Sequence, residues 1–366
     1  MKNPDEPNNI FSKQLQKKIT TYNVQDIPKI KRNVNLAPKV IIVDGQGGCG
    51  KTMLSPIIGS FKRVELLNYA FEMEWICRLN FFGSLNEEAA TTMVKMLTDS
   101  KIYTNMMGRD VNFRYSDLSS VFQNHKPSRY FRRLFQSGDM VIPDIISKEK
   151  PILNLTTHDL LPVGKPVFDA LKDRLVFIEM VRHPLFMLIQ TTFNMERLIN
   201  NRRDIGIYLE HEGNTIPYYG FANKDEFLKL LPIEQAIYCI KNQTELTEFF
   251  INQYKSIIEK NLIIVPFEKF VKTPDFYMNE IQAHIGEKLD RNTKNMMKKQ
   301  NVPRKNVVDG IPLAIYKRCG WEPPDKKLNE KEEYLKRREF AVNQGASKKT
   351  LRILDELSES YENNFF

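Results

Sequence analysis

The chain has 366 residues, of which 42% are hydrophobic and 27% charged. That length suits one large domain or two ordinary ones, and the balance excludes a wholly disordered or collagen-like chain. Set against 45 Asp and Glu, the 54 Lys and Arg give a formal charge of +9, which favours anionic partners (nucleotides, polyanionic sugars, nucleic acid, anionic lipid) without choosing among them.

No apolar run approaches the roughly 18–20 residues that cross a bilayer, so no membrane span is expected. The polar start, with Pro4 and Pro7, does not read as a secretory signal. Cys49, Cys77, Cys239 and Cys319 are scattered. They suggest neither a zinc cluster nor a disulfide framework, and a reducing cytoplasm fits them best.

Residues 1–37 mix Lys17, Lys18, Lys29, Lys31 and Arg32 with Asn, Pro and Gln. They read as a basic, mobile extension ahead of one domain over 38–366. Val40-Ile-Ile-Val43 is a β-branched run suited to a strand buried on both faces. It leads into Gly45-Gln-Gly-Gly-Cys-Gly-Lys51-Thr52, and a helix is expected over Met53–Phe61, shortened or kinked by Pro56 and Gly59. Residues 62–145 read as a helical region between that helix and the next sheet strand. Further strands are expected at Ile152–Leu155, Leu175–Val181 and Leu262–Val265, with helices over Ile233–Lys260 and Phe276–Ile285. This alternation gives an α/β class: a P-loop, three-layer α/β/α fold with a central parallel sheet.

The glycine-rich loop matches G-x-x-x-x-G-K-[ST] at every fixed position, between a strand and a helix. Its glycines let successive N–H groups turn toward one anion, the helix start adds partial positive charge, and Lys51 adds a full one. Gly45, Gly47, Gly48, Cys49, Gly50, Lys51 and Thr52 are therefore candidate binders of a phosphate-bearing ligand. Such a loop does not fix the reaction.

Two strand ends add chemistry. Ile152–Leu155 runs into Thr156-Thr-His158-Asp-Leu, where His158 is either a general base or a structural hydrogen-bonder. Leu175–Val181 runs into Arg182-His-Pro184, where Arg182 either grips a phosphate or forms a surface ion pair.

Strand–P-loop–helix, then strand–Thr-His, then strand–Arg-x-Pro–helix resembles the sulfotransferases that use 3′-phosphoadenosine 5′-phosphosulfate (PAPS). The resemblance covers roughly residues 38–366. It extends to Leu262-Ile-Ile-Val-Pro-Phe-Glu268, to Arg318-Cys-Gly320 and to a terminal helix beginning near Ser347. The resemblance implies a sulfotransferase with PAPS as co-substrate and no metal. It makes the loop the holder of the 5′-phosphosulfate, with Lys51 on leaving-group charge and His158 as base. Arg182 and Gln190 would hold the 3′-phosphate, and Arg318 would lie at the nucleotide. Gly48 stands where the family commonly carries a Lys, Gln190 where it carries a Ser, and Thr156 where it carries a Lys.

An ATP- or GTP-dependent P-loop kinase or NTPase is the alternative, with Glu179 as the acid for magnesium. Basic clusters at Arg129/Arg132/Arg133, Lys298/Lys299 and Arg304/Lys305 come without a nucleic-acid-binding motif, so no nucleic acid partner is expected. The acceptor is read only as a small molecule or a glycan. Arg129, Arg132 and Arg133 could suit an anionic sugar, and Tyr218–Phe221 could offer aromatic faces. Both sets are equally compatible with ordinary surface and core.

Overall fold

The computed structural model describes residues 30–197, 199, 201, 202, 204–311 and 328–366. Strands are β1 (Lys39–Asp44), β2 (Val64–Tyr69), β3 (Ile152–Thr156), β4 (Leu175–Val181), β5 (Tyr208–His211), β6 (Asn214–Pro217) and β7 (Leu262–Pro266). The principal helices are α1 (Lys51–Ile58), α2 (Phe71–Phe81), α3 (Glu87–Met106), α4 (Pro127–Arg133), α5 (Ile142–Glu149), α6 (Lys165–Leu171) and α7 (Pro184–Arg197). They continue with α8 (Pro232–Ile258), α9 (Phe267–Lys272), α10 (Asp275–Ile285), α11 (Arg291–Lys299), α12 (Glu330–Asn343) and α13 (Lys348–Phe365).

Five strands form one parallel sheet in the order β2-β3-β1-β4-β7. β1 explains the layering. Val40 and Ile42 face one core with Leu153, Leu155, Phe177 and residues of α2, α3 and α6. Ile41 and Val43 face a second core with Ile178, Met180 and residues of α1, α7 and α8. A strand apolar on both sides is what a parallel sheet covered by helices requires. The α/β reading and its four strands are therefore found in one sheet. The two-stranded β5–β6 hairpin lies outside it and turns at Glu212 and Gly213, both at positive φ.

One sequence expectation needs correction, and two open readings are decided. Residues 62–145 are mostly helical, but the next sheet strand is inside them: β2 starts at Val64 and forms the sheet edge against β3. Glu65 and Asn68 hide its apolar pattern. Glu65 is fully buried because Arg129 binds it and Arg133 grips it, with Nη1–Oε2 at 2.7 Å. Those two arginines thus neutralise a buried carboxylate and are not a sugar-binding surface. They hold the Glu65 carboxyl below its usual range against the opposing effect of burial. Tyr218, left open in the sequence between a ring-binding face and ordinary core, is buried and donates its hydroxyl to the Asp159 carbonyl at 3.2 Å. It is a core residue.

Helix α1 ends at Ile58, two residues after Pro56, with Gly59 as its C-cap. Of the first 37 residues, 1–29 lie outside the described residues. Residues 30–37 lie against α3, where Asp99 accepts from Arg32 Nε (2.6 Å) and from the N–H groups of Leu36 and Ala37. No helix among the described residues is long and apolar enough to cross a membrane.

Arg133→Ala should lower unfolding stability by about 3 kcal/mol, because it strands a buried carboxylate with one remaining cation. Arg132→Ala, on an exposed neighbour, should change it by no more than about 0.5 kcal/mol. Urea midpoints of the two variants check the contrast.

Candidate active site

The C-terminal ends of β1, β3 and β4 meet at the loop 45–50. Gly50 caps α1 at φ 108, and a Cβ there would collide with the Phe267 ring. Gly45, at φ 134, is equally closed to a side chain by the Met180 carbonyl. These two positions require glycine both for conformation and for space. Lys51 folds back into the loop. Its Nζ donates to the Gly45 carbonyl and, at 3.0 Å, to that of Gln46. Burial pushes the ammonium's pKa down, but Cys49 and the carboxyls of Asp44, Asp159 and Glu179 more than offset this and leave it raised.

Asp44 joins the loop to the turn after β3. It accepts from Thr157 Oγ1 (2.8 Å) and from the N–H groups of Leu160 (2.7 Å) and Leu161 (2.9 Å). His158 sits in that turn with its side chain about two-fifths exposed. Its Nδ1 lies 3.1 Å from Glu74 Oε1, and the same oxygen accepts the His158 N–H at 3.0 Å. The ring stacks on Phe71 at 5.7 Å. In the neutral tautomer that directs Nδ1–H at this carboxylate, Nε2 is the nitrogen that carries the lone pair.

Arg182 closes the loop's other side. Its Nη1 donates to the Gly48 carbonyl at 2.9 Å, and its guanidinium lies 4.0 Å from the Phe267 ring centre. Arg304 approaches the same ring at 5.2 Å, and Arg337 the Phe186 ring at 4.2 Å. A cleft of about 380 Å³ is lined by the loop residues Gln46–Thr52, by His158 and Tyr69, and by Arg182, Gln190, Arg304, Arg337 and Phe267. Gln190 stands beside Gly48, with its Oε1 3.3 Å from where a Cβ would lie.

The structure thus gathers Lys51, Thr52, His158, Arg182 and Gln190 around one cleft. Gly45 is not among the residues lining the cleft; it packs against the Met180 carbonyl. Arg318 falls outside the described residues. Glu179 is buried under the loop, paired in register with Asp44, and its carboxyl is pushed well above the ordinary range by burial and then by Asp44. Sequence reasoning missed Glu74, Phe267 and Arg337. Glu74 carries no local signal, being one of two acids in α2, with Glu72. Arg304 was visible only as half of a basic pair.

No protein-family model matches the chain, and no curated protein does. Solved structures similar in shape include the sulfotransferase domain of the Synechococcus PCC 7002 olefin synthase. It has 10% identity, covers 86% of this chain and 98% of that one, and has a TM-score of 0.36. The sulfotransferase domain from the curacin biosynthetic pathway has 11% identity, 88% and 98% coverage and a TM-score of 0.41. Mouse sulfotransferase SULT7A1, solved in complex with PAP, has 11% identity, 87% and 89% coverage and a TM-score of 0.34. At these identities and scores, any functional reading has to come from the residues of the cleft themselves.

Asp159, next to His158, gives a pH test. It sits at φ 52 and accepts from Gln243 Nε2 at 2.9 Å. Burial raises its pKa from 3.8 to about 7, against Lys51 and with Asp44. The folded chain therefore binds more protons than the unfolded one between these values. That stability is present in full below about pH 4 and is lost as pH rises through about 7. Asp159→Asn, which tolerates the same backbone, should gain stability relative to the wild type between pH 5 and pH 8. A difference in melting temperature that does not vary with pH contradicts this.

Proposed function

We propose that the cleft transfers a sulfuryl group from PAPS to a hydroxyl or amine on a small-molecule or carbohydrate acceptor. One observation carries the reading: a phosphate loop lies between a carboxylate-backed histidine and a set of arginines stacked on aromatic rings. A nucleotide with charge at both ends fits such a cleft. The loop N–H groups and Lys51 suit the 5′ end. Arg182, with Gln190 and Arg304 beside it, suits a 3′-phosphate.

The chemistry asks little covalent help of the protein. PAPS supplies the sulfuryl group and leaves as the 3′,5′-bisphosphate. His158 Nε2 takes the proton of the acceptor hydroxyl as its oxygen attacks sulfur. Glu74 stabilises the imidazolium that results and fixes the ring. The bond from sulfur to the bridging oxygen breaks, and negative charge grows on the 5′-phosphate. Loop N–H groups and Lys51 are placed to receive that charge. Lys51 now rests on the Gly45 and Gln46 carbonyls, so a bound phosphate would compete with them for its protons.

The second reading is phosphoryl transfer from ATP or GTP. The Gly-Lys-Thr sequence at the start of α1 favours it. Against it stands Glu179, the acid that this reading gives to magnesium, which is buried and held toward its neutral form.

Ligand choice separates the two. A ligand that binds only the folded chain adds about 2.7 kcal/mol of stability at a hundredfold excess over its Kd. 3′-Phosphoadenosine 5′-phosphate should raise the melting temperature without magnesium, and ADP should raise it less. Arg182→Ala should shrink that difference, and Lys51→Ala should weaken both ligands. A magnesium-dependent ATP shift with no response to the 3′-phosphorylated nucleotide overturns sulfuryl transfer.

A further inference from the structure

The segment joining α3 to α5 packs across the β2 edge of the sheet. Its inner side is a small core of Leu66, Val121 and Tyr130, anchored by the Tyr130 hydroxyl, which accepts the Leu66 N–H at 3.0 Å. Its outer side is apolar and exposed. Phe113 meets Phe131 at 5.5 Å, Phe131 meets Phe122 at 6.0 Å, and Phe122 meets Tyr115 at 5.6 Å between ring centres. All four are exposed, Tyr115 by 74%. Phe135, just past the end of α4, is 88% exposed. The four rings in contact form one exposed aromatic surface, with Phe135 exposed close to it in sequence, unlike apolar side chains scattered singly.

The surrounding charge selects the partner. Arg129 and Arg133 are turned inward onto Glu65. Arg114, Lys126 and Arg132 are exposed beside these rings; Arg114 pairs with Asp117 at 3.7 Å, Arg109 pairs with Asp139 at 3.6 Å, and Asp110 is exposed further along the segment. Rings and long cationic side chains together match the two layers of a membrane interface, one apolar and one carrying anionic headgroups. The same segment gives Leu118 to the wall of the cleft, so a surface bound here borders the site.

We propose that this aromatic patch docks the protein on an anionic lipid bilayer, with Tyr115, Phe122, Phe131 and Phe135 in the interface and Arg114, Lys126 and Arg132 against the headgroups. The inference does not depend on the reaction assigned to the cleft.

Co-sedimentation of the full chain with vesicles tests it. Wild type should bind phosphatidylcholine vesicles containing phosphatidylserine at least tenfold more tightly than phosphatidylcholine alone. Tyr115→Ser with Phe135→Ser should weaken that binding at least tenfold. Arg114→Glu with Arg132→Glu should weaken it by about fivefold or more for each cation lost. All four positions are exposed, so melting temperatures close to wild type should accompany these losses. Failure of wild type to bind phosphatidylserine vesicles overturns the proposal. So does unchanged binding by the aromatic double variant. Self-association of wild type that the same double variant abolishes assigns the patch to a second copy of the chain, and also overturns it.

Discussion

The Asp44 carboxylate, at the last residue of β1, holds the two halves of the site in one frame. An ionised carboxylate in this position is costly unless its oxygens are occupied. One oxygen takes the Thr157 hydroxyl, the other takes the N–H groups of Leu160 and Leu161, and the Lys51 ammonium lies close enough to feel its charge. The turn carrying His158 is thereby fixed to the strand that carries the phosphate loop. The same charge acts on its neighbours. Burial and then Asp44 keep Glu179 toward its neutral form, and Asp159 titrates near neutrality. Lys51 is the cation set among these acids, and their charge keeps its ammonium pKa raised against burial.

A second network sets the cleft's arginine wall. Glu268 in α9 accepts the Tyr361 hydroxyl at 2.6 Å and the His183 N–H at 3.3 Å, and lies 3.8 Å from Arg182 Nε. His183 is packed by Tyr334, Phe186 and Tyr361. Burial drives its pKa down to about 4. A neutral ring fits its bonds, with Nδ1 accepting the Leu185 N–H and Nε2 facing Glu362. Through Tyr361 the C-terminal helix α13 is tied to Arg182, and through Arg337 helix α12 reaches the cleft. Residues far apart in the chain thus position one guanidinium against the loop.

The strands of the sheet's interior were legible because residues buried on both faces must be apolar, and an uninterrupted run such as Leu175–Val181 has few other readings. The loop was legible because its glycines answer a backbone demand, seen at Gly45 and Gly50. His158 and Arg182 followed from their places at strand ends. β2 was not legible, since its acid, Glu65, is neutralised by arginines 64 and 68 residues away. Nor was Glu74, whose partner lies 84 residues along the chain. A sequence records local pattern well; a buried ion pair or a carboxylate behind a histidine is written only in the packing of elements. Basic residues mislead for the same reason: Arg129 and Arg133 look like surface and are internal counter-ions, whereas Arg304 looks like surface and lines the cleft.

We propose that the cleft holds a nucleotide by both ends, its 5′-phosphate on the loop and its 3′-phosphate on Arg182. A crystal structure with 3′-phosphoadenosine 5′-phosphate tests this most directly. The account expects the 5′-phosphate on the N–H groups of residues 47–52 and the 3′-phosphate within hydrogen-bond distance of the Arg182 guanidinium, on the Phe267 side of the loop. A nucleotide whose 3′-phosphate points to solvent, with Arg182 keeping its present contacts to Gly48, Glu268 and its aromatic neighbours, would contradict it.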